Sequence, residues 1–137
     1  MENKNEKSSL SVLKLKHVVF DRLLFERYGF QKNGDVQLKV GVAVNKSSEG
    51  EYRVSLKVEA IKNDEYTVEV TITGYFTIDE NYPQKEDILK KNTVSILFPY
   101  VRSELTLLTA QPDTEPIVLP ALNINAIIDN SCNSENS

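Results

Sequence analysis

The sequence predicts an α+β domain in which a four-stranded antiparallel sheet is followed by a long helix and a short C-terminal helix. Three features of the chain predict it. Four successive segments alternate apolar and polar residues, the period that sends neighbouring side chains to opposite faces of a strand. In the last three of them the second face is mainly polar, as in an antiparallel sheet packed on one side only. Beyond Asp79 the apolar residues recur at helical spacing instead.

The first structured run is Leu10 to Arg27. Leu13 and Leu15 alternate with Lys14 and Lys16; Val18 and Phe20 continue after a slip in parity, and Leu23 and Phe25 follow a second slip. Each slip turns side chains to the other face unless a bulge absorbs it, so one long, bent, bulged strand is expected. Tyr28 to Asp35, with two glycines, reads as a loop. The second strand places Val36, Leu38, Val40, Val42 and Val44 on one face. The third does so with Tyr52, Val54, Leu56, Val58 and Ala60, and the fourth with Tyr66, Val68, Val70, Ile72, Phe76 and Ile78. Ser47 to Gly50 and Lys62 to Asp64 supply the turns between them.

Asn81-Tyr82-Pro83 ends the sheet. From Lys85 to Ala110, Val94, Leu97, Val101, Leu105 and Leu108 form a helical stripe, widened by Ile96, Phe98, Tyr100 and Leu107. Pro99 removes a backbone donor and crowds the preceding turn, so the helix is expected to start near Pro99 or to kink there. Such a stripe is wider than one sheet face needs. Part of it is expected to meet another subunit, with Leu97, Val101 and Leu108 at the interface. Pro112 and Pro116 bracket a loop, Ile117 to Pro120 runs extended, and Asn123 caps a short helix carrying Ile124, Ile127 and Ile128. These elements make one domain, residues 10–129. Segments 1–9 and 130–137 have too little apolar area to offset the entropy of ordering, and are expected to be disordered.

With 137 residues the chain is long enough for one modest core. Its formal net charge of -4, without a basic cluster, tells against nucleic acid as partner. The single cysteine, Cys132, cannot form an intrachain disulfide, which fits a reducing compartment. No run of about 18 apolar residues suggests a membrane span, and Met1 to Ser9 lacks the apolar stretch of a signal peptide. A cytoplasmic location is therefore expected. His17, the only histidine, stands in a strand with no nucleophile beside it in sequence. Asp79, Glu80, Glu86 and Asp87 flank a turn and a helix start, where negative charge favours the helix dipole. No phosphate loop, nucleophile elbow or metal-ligand spacing occurs. The expectation is a protein that is not an enzyme, with no cofactor and no metal.

The run Ile96-Leu97-Phe98-Pro99-Tyr100-Val101-Arg102-Ser103-Glu104-Leu105 resembles the signature helix of the bacterial export chaperone family SecB. Leu119-Pro120-Ala121-Leu122-Asn123-Ile124 resembles the extended turn before that family's last helix, and Gly74-Tyr75-Phe76-Thr77-Ile78 the close of its fourth strand. The resemblance covers Leu13 to Asp129. It implies a sheet backed by helices and a homotetramer, a dimer of dimers with the long helices sandwiched between sheets. It also implies an ATP-independent holdase that binds unfolded preproteins in apolar grooves and passes them to the translocase motor SecA. Divergent members serve as dedicated chaperones of antitoxins, which is the alternative reading here. In the family, acids on the outer sheet face dock SecA. Glu26 and Glu69 match two of them, but Arg22 stands where an acid is expected and Thr67 where an apolar residue is. The tail is short and nearly uncharged. These departures tell against docking more than against holding.

Holding unfolded chains needs extended apolar surface without one fixed geometry, and exposed backbone can add hydrogen bonds. The candidates are Phe98, Tyr100 and Leu105 on the helix, Phe25, Tyr28 and Phe30 near the first loop, and Ile117, Val118 and Leu119 in the crossing loop. Core packing or subunit contact competes for each. The crossing-loop residues have the stronger claim, because loops lie at surfaces.

Overall fold

The computed structural model describes residues 12–32, 34–121 and 123–128. Leu10, Cys132 and the segments 1–9 and 130–137 lie outside the described residues. Four strands, β1 (Leu13–Arg27), β2 (Val36–Ser48), β3 (Glu51–Lys62) and β4 (Tyr66–Ile78), form one sheet in the order β1-β4-β3-β2. Every pairing is antiparallel. β1 carries register shifts between Leu15 and His17 and between Phe20 and Arg22. These are the two slips in parity, and they return Leu13, Leu15, Val18, Phe20, Leu23 and Phe25 to one face, opposite Ile78, Phe76, Gly74, Ile72, Val70 and Val68.

Turn chemistry fixes the hairpins. Gly50 closes β2 to β3 at φ 74°, a conformation that suits glycine. Asp64, at φ 65°, occupies the turn from β3 to β4. The loop after β1 crosses the end of the sheet over that turn: the amides of Tyr28 and Gly29 donate to the Glu65 carbonyl at 3.0 and 3.1 Å. A side chain at Gly29 would stand 2.1 Å from the Asp64 carbonyl oxygen, so the crossing admits only glycine.

The chain then turns into helix. A short turn α1 (Lys85–Asp87) leads into a π-helical turn, Ile88–Asn92, and this into α2 (Thr93–Thr109). The helix does not begin at Pro99, which lies inside α2. The irregular turn lies upstream, where Ile88 and Leu89, adjacent in sequence, are both buried. α2 lies over β4 and β3, the two central strands. Val94, Leu97, Val101 and Leu105 have no exposed area, and they meet Val54, Leu56, Val58, Val68, Val70 and Ile72, which have none either. Gly74 allows this approach: a Cβ there would stand 2.6 Å from the Phe76 ring and 2.9 Å from Leu97. After Thr109 an extended strap runs back along the helix to a last short helix α3, residues 124–128. Asn123 caps α3, its Oδ1 accepting the Ala126 amide at 3.3 Å.

Candidate functional site

An α-helix turns about 100° per residue, so α2 has distinct sides. Val94, Leu97, Phe98, Val101 and Leu105 fall on the side that meets the sheet and are buried. Pro99, Ser103 and Leu107 fall opposite and are exposed. The strap borders one flank of that outer side, and β1 approaches the other.

The strap is held by two helix threonines. The Ile117 amide donates to Thr109 Oγ1 at 2.8 Å, and Thr106 Oγ1 donates to the Ile117 carbonyl at 2.6 Å. The Thr109 hydroxyl in turn donates to the Leu105 carbonyl, one turn back in its own helix, at 2.7 Å. Ile117 is thus buried while Val118, next along the extended chain, stands free. α3 is tied back as well: Asn125 Nδ2 donates to the Lys91 carbonyl in the π-turn and to Ser95 Oγ, both at 3.2 Å. Two open hollows lie between strap and helix. One, of about 260 Å³, is lined by Phe98, Pro99, Arg102, Ala121 and Ile124 among others. The second, of about 400 Å³, is lined by Arg102, Ser103, Thr106, Leu107, Val118 and Leu119. On the β1 flank a third, of about 290 Å³, is lined by Phe20, Pro99, Tyr100, Ser103 and Glu104.

At the end of β1, Arg27 gathers an aromatic cluster. Its guanidinium stands 5.6, 5.4 and 6.0 Å from the ring centres of Phe25, Phe30 and Tyr66. It also donates to the Gly29 carbonyl at 3.0 Å and to Thr114 Oγ1, joining the sheet end to the start of the strap. Beneath it the buried Glu65 carboxylate is neutralised by Lys62 at 3.2 Å and Arg27 at 3.7 Å. Burial, with the Glu65 charge, pushes the Tyr66 phenol up to about 12.

A second polar cluster locks the other end of the sheet. Glu80 accepts from Lys85 Nζ, the Tyr52 hydroxyl and the Gly50 amide, each at 2.8 Å. Lys46 adds an ion pair at 3.3 Å. These donors, Lys85 foremost, hold its carboxyl down at about 2, and the Lys85 ammonium is raised in turn. On the outer sheet face Glu69 is paired with both Arg22 and Lys57, the latter at 3.2 Å.

The structure divides the expected site residues. Leu97 and Val101, expected at a subunit interface, are covered completely by the chain's own sheet, and so offer no surface to a second subunit. Leu105 and Phe98, expected to touch clients, are buried in the core, and Ile117, within the strap, is buried as well. Phe25, Leu108 and Leu119 are half-buried at the margins of the core. Tyr28, Phe30, Tyr100 and Val118 are exposed. Tyr100 lines the β1-side hollow and Val118 the strap-side hollow, while Phe30 stands with Phe25 over Arg27. Glu26 lies opposite Thr67 on the outer face and is exposed, whereas Glu69 is neutralised by its two cations. Sequence reasoning missed Phe20 and Leu23, which the β1 bulges leave on the helix side of an edge strand, beyond full cover. The signal was present in the slipped parity. Among the described residues, no helix is long and apolar enough to cross a membrane, and no three His, Cys, Asp or Glu side chains gather to hold a metal.

Sheet, helix and strap together define a class: a one-sided antiparallel α+β domain whose backing helix is flanked by open hollows. The chain belongs to the SecB family. The profile of the family described as preprotein translocase subunit SecB matches residues 3–135, nearly the whole sequence. The protein-export protein SecB of Saccharophagus degradans is 28% identical over 106 residues, 73% of this chain and 63% of that protein. An uncharacterized protein of Methanocaldococcus jannaschii is 26% identical over 102 residues, 70% of this chain and 66% of that one. The chain thus spans less than two thirds of these relatives' length. The same fold occurs in the SecB-like chaperone of Mycobacterium tuberculosis, solved with a peptide from the antitoxin HigA1. The TM-score is 0.68 at 15% identity, over 82% of this chain and 88% of that one.

Proposed function

We propose that this chain is the subunit of an ATP-independent holdase that binds non-native polypeptides along the flanks of α2. The observation that carries the reading is the apolar surface left open there: Leu107 is 65% and Val118 76% exposed on the strap side, and Tyr100 42% on the β1 side. Exposed apolar side chains in one neighbourhood of a soluble domain mark an interaction surface. Hollows without a closed outline suit segments of many sequences, because burial is non-directional. Phe20 and Leu23, uncovered on the edge strand, supply apolar surface through which subunits associate, in the manner of a dimer of dimers. The cytoplasm is the compartment where such a holder meets unfolded chains.

Delivery to SecA draws little support. The neutralised Glu69 and the cation at Arg22 leave an outer face that is not acidic. This favours, as second reading, a dedicated adaptor for one partner such as an antitoxin, the kind of peptide that the M. tuberculosis neighbour holds.

The double variant Leu107→Asp/Val118→Asp tests the site. Both side chains are exposed, so the melting temperature should stay within a few degrees of the parent's. Suppression of aggregation of a denatured model protein should fall at least severalfold. Undiminished suppression would remove the strap-side groove from the function. A single stoichiometric partner, with no effect on model substrates, would favour the adaptor.

A further inference from the structure

The outer face of the sheet, away from α2, gathers cations at one end. Antiparallel register sets His17, Tyr75, Arg53 and Asn45 in one row across all four strands. Tyr75 and Arg53 alternate with Phe76 and Val54, which are buried beneath the helix, so this row faces outward. His17 packs on Tyr75 with ring centres 5.2 Å apart. Lys16, in the β1 bulge, lines a hollow of about 250 Å³ with His17, Tyr75, Thr77, Glu51 and Ser47. Lys14 stands opposite Thr77, one row nearer the strand end. Both edge strands shift register here, β1 at Lys16 and β2 at Ser47, and a bulge bends its strand. The ion pairs of the outer face lie further along it: Glu69 takes Arg22 and Lys57, and Glu59 takes Lys57. Glu51, the acid of the hollow, accepts from the Ser48 hydroxyl at 2.7 Å. Among the described residues, Lys14, Lys16 and Arg53 are exposed and pair with no carboxylate. Lys39, Lys90, Lys91 and Arg102 are unpaired too, so that state marks nothing by itself. Here, however, three such cations surround one aromatic pair and one hollow.

We propose that this end of the outer face docks an acidic protein segment: an extended stretch with two Asp or Glu about three residues apart and an aromatic side chain between them. Charge complementarity selects the acids. Tyr75 on β4 has Lys16 of β1 on one side and Arg53 of β3 on the other. These flanking strands lie two interstrand spacings apart, about 10 Å, the span of three extended residues. The guanidinium offers a carboxylate its fork of donors, and the aromatic residue enters the hollow against Tyr75 and His17. At about 250 Å³ the hollow is smaller than the ~300–1,000 Å³ of small-molecule sites, so it suits one side chain. The chain as a whole carries -4, which repels a long polyanion such as nucleic acid and favours a short acidic segment. The site lies at the far end of the outer face from Glu26 and on the other side of the sheet from the flanks of α2. It is therefore independent of the holding function.

Three dye-labelled peptides in a common Gly/Ser frame test this by fluorescence anisotropy. The first carries Asp-Phe-Ser-Asp at its centre, the second Asn-Phe-Ser-Asn and the third Asp-Ser-Ser-Asp. The first should bind about tenfold tighter than the second and about fivefold tighter than the third. The preference for acids should shrink with added salt. Lys16→Gln/Arg53→Gln should abolish it, while melting temperature and suppression of aggregation stay those of the parent, because both side chains are exposed. Lys14→Gln should lower it part of the way, which guards against a folding defect in the double variant. Leu107→Asp/Val118→Asp should leave first-peptide binding unchanged even as holding falls, so the two surfaces fail separately. Equal binding of the first two peptides to the parent overturns the inference, as does a preference that survives Lys16→Gln/Arg53→Gln. So does first-peptide binding that disappears in Leu107→Asp/Val118→Asp, which would place the segment beside α2. A single-stranded oligonucleotide of the same charge that binds more tightly than the first peptide, and is released by Lys16→Gln/Arg53→Gln, would make the partner a nucleic acid and overturn it too.

Discussion

Single residues in this fold act mainly as ties between segments distant in sequence. Glu80 binds the β2–β3 turn at Gly50, Tyr52 in β3 and Lys85 at the helix start. None of this was legible beforehand, because an acid beside a turn looks the same whether it is solvated or serves as a hub. The structure also gives it a pH signature. Its carboxyl lies at about 2, against an ordinary value of 4.5. A depressed value means that the unfolded chain binds the proton first, so the stabilisation is complete above about pH 4.5 and is lost as pH falls towards 2. Glu80→Gln should therefore melt below the parent at neutral pH, and the gap should close between pH 4.5 and 2. A gap that stays constant across that range, in calorimetry, would show that Glu80 remains as acidic folded as unfolded.

At the scale of elements, alternation alone placed β2, β3 and β4, and the slipped parity of β1 placed both bulges. The helix was harder. Its stripe was visible, but not which part of it the sheet would cover, since that depends on where β3 and β4 lie beneath. Hence Leu97, Val101 and Leu105 read as candidate surface and are core. The π-turn at Ile88–Asn92 left no periodic trace, because one extra residue in a turn shifts the phase without changing composition. Gly74 shows how closely helix and sheet meet. Valine is the better strand former, yet Gly74→Val should destabilise by about 2 kcal/mol in urea unfolding, since a Cβ there collides with Phe76 and Leu97. An unchanged midpoint would mean that the helix can lift away from β4 at little cost.

For the whole molecule, inner and outer apolar surfaces predict different failures. Leu97→Asp would put a charge where no water reaches, at about 4 kcal/mol or more, a large share of the stability of a small domain. It should unfold the subunit. Leu23→Asp, on the uncovered flank of β1, should leave the fold intact and lower the mass read by light scattering. The opposite pattern, with Leu97→Asp folded but dissociated, would place the subunit contact on the inner face of α2 after all.

The threonine clamp on Ile117 has one further implication, for rates. A wall whose backbone is already fixed at both its amide and its carbonyl has no closing motion to complete. Association of an extended segment should then proceed in one phase at ~10⁵–10⁷ M⁻¹s⁻¹, and differences among segments should appear in how long each stays.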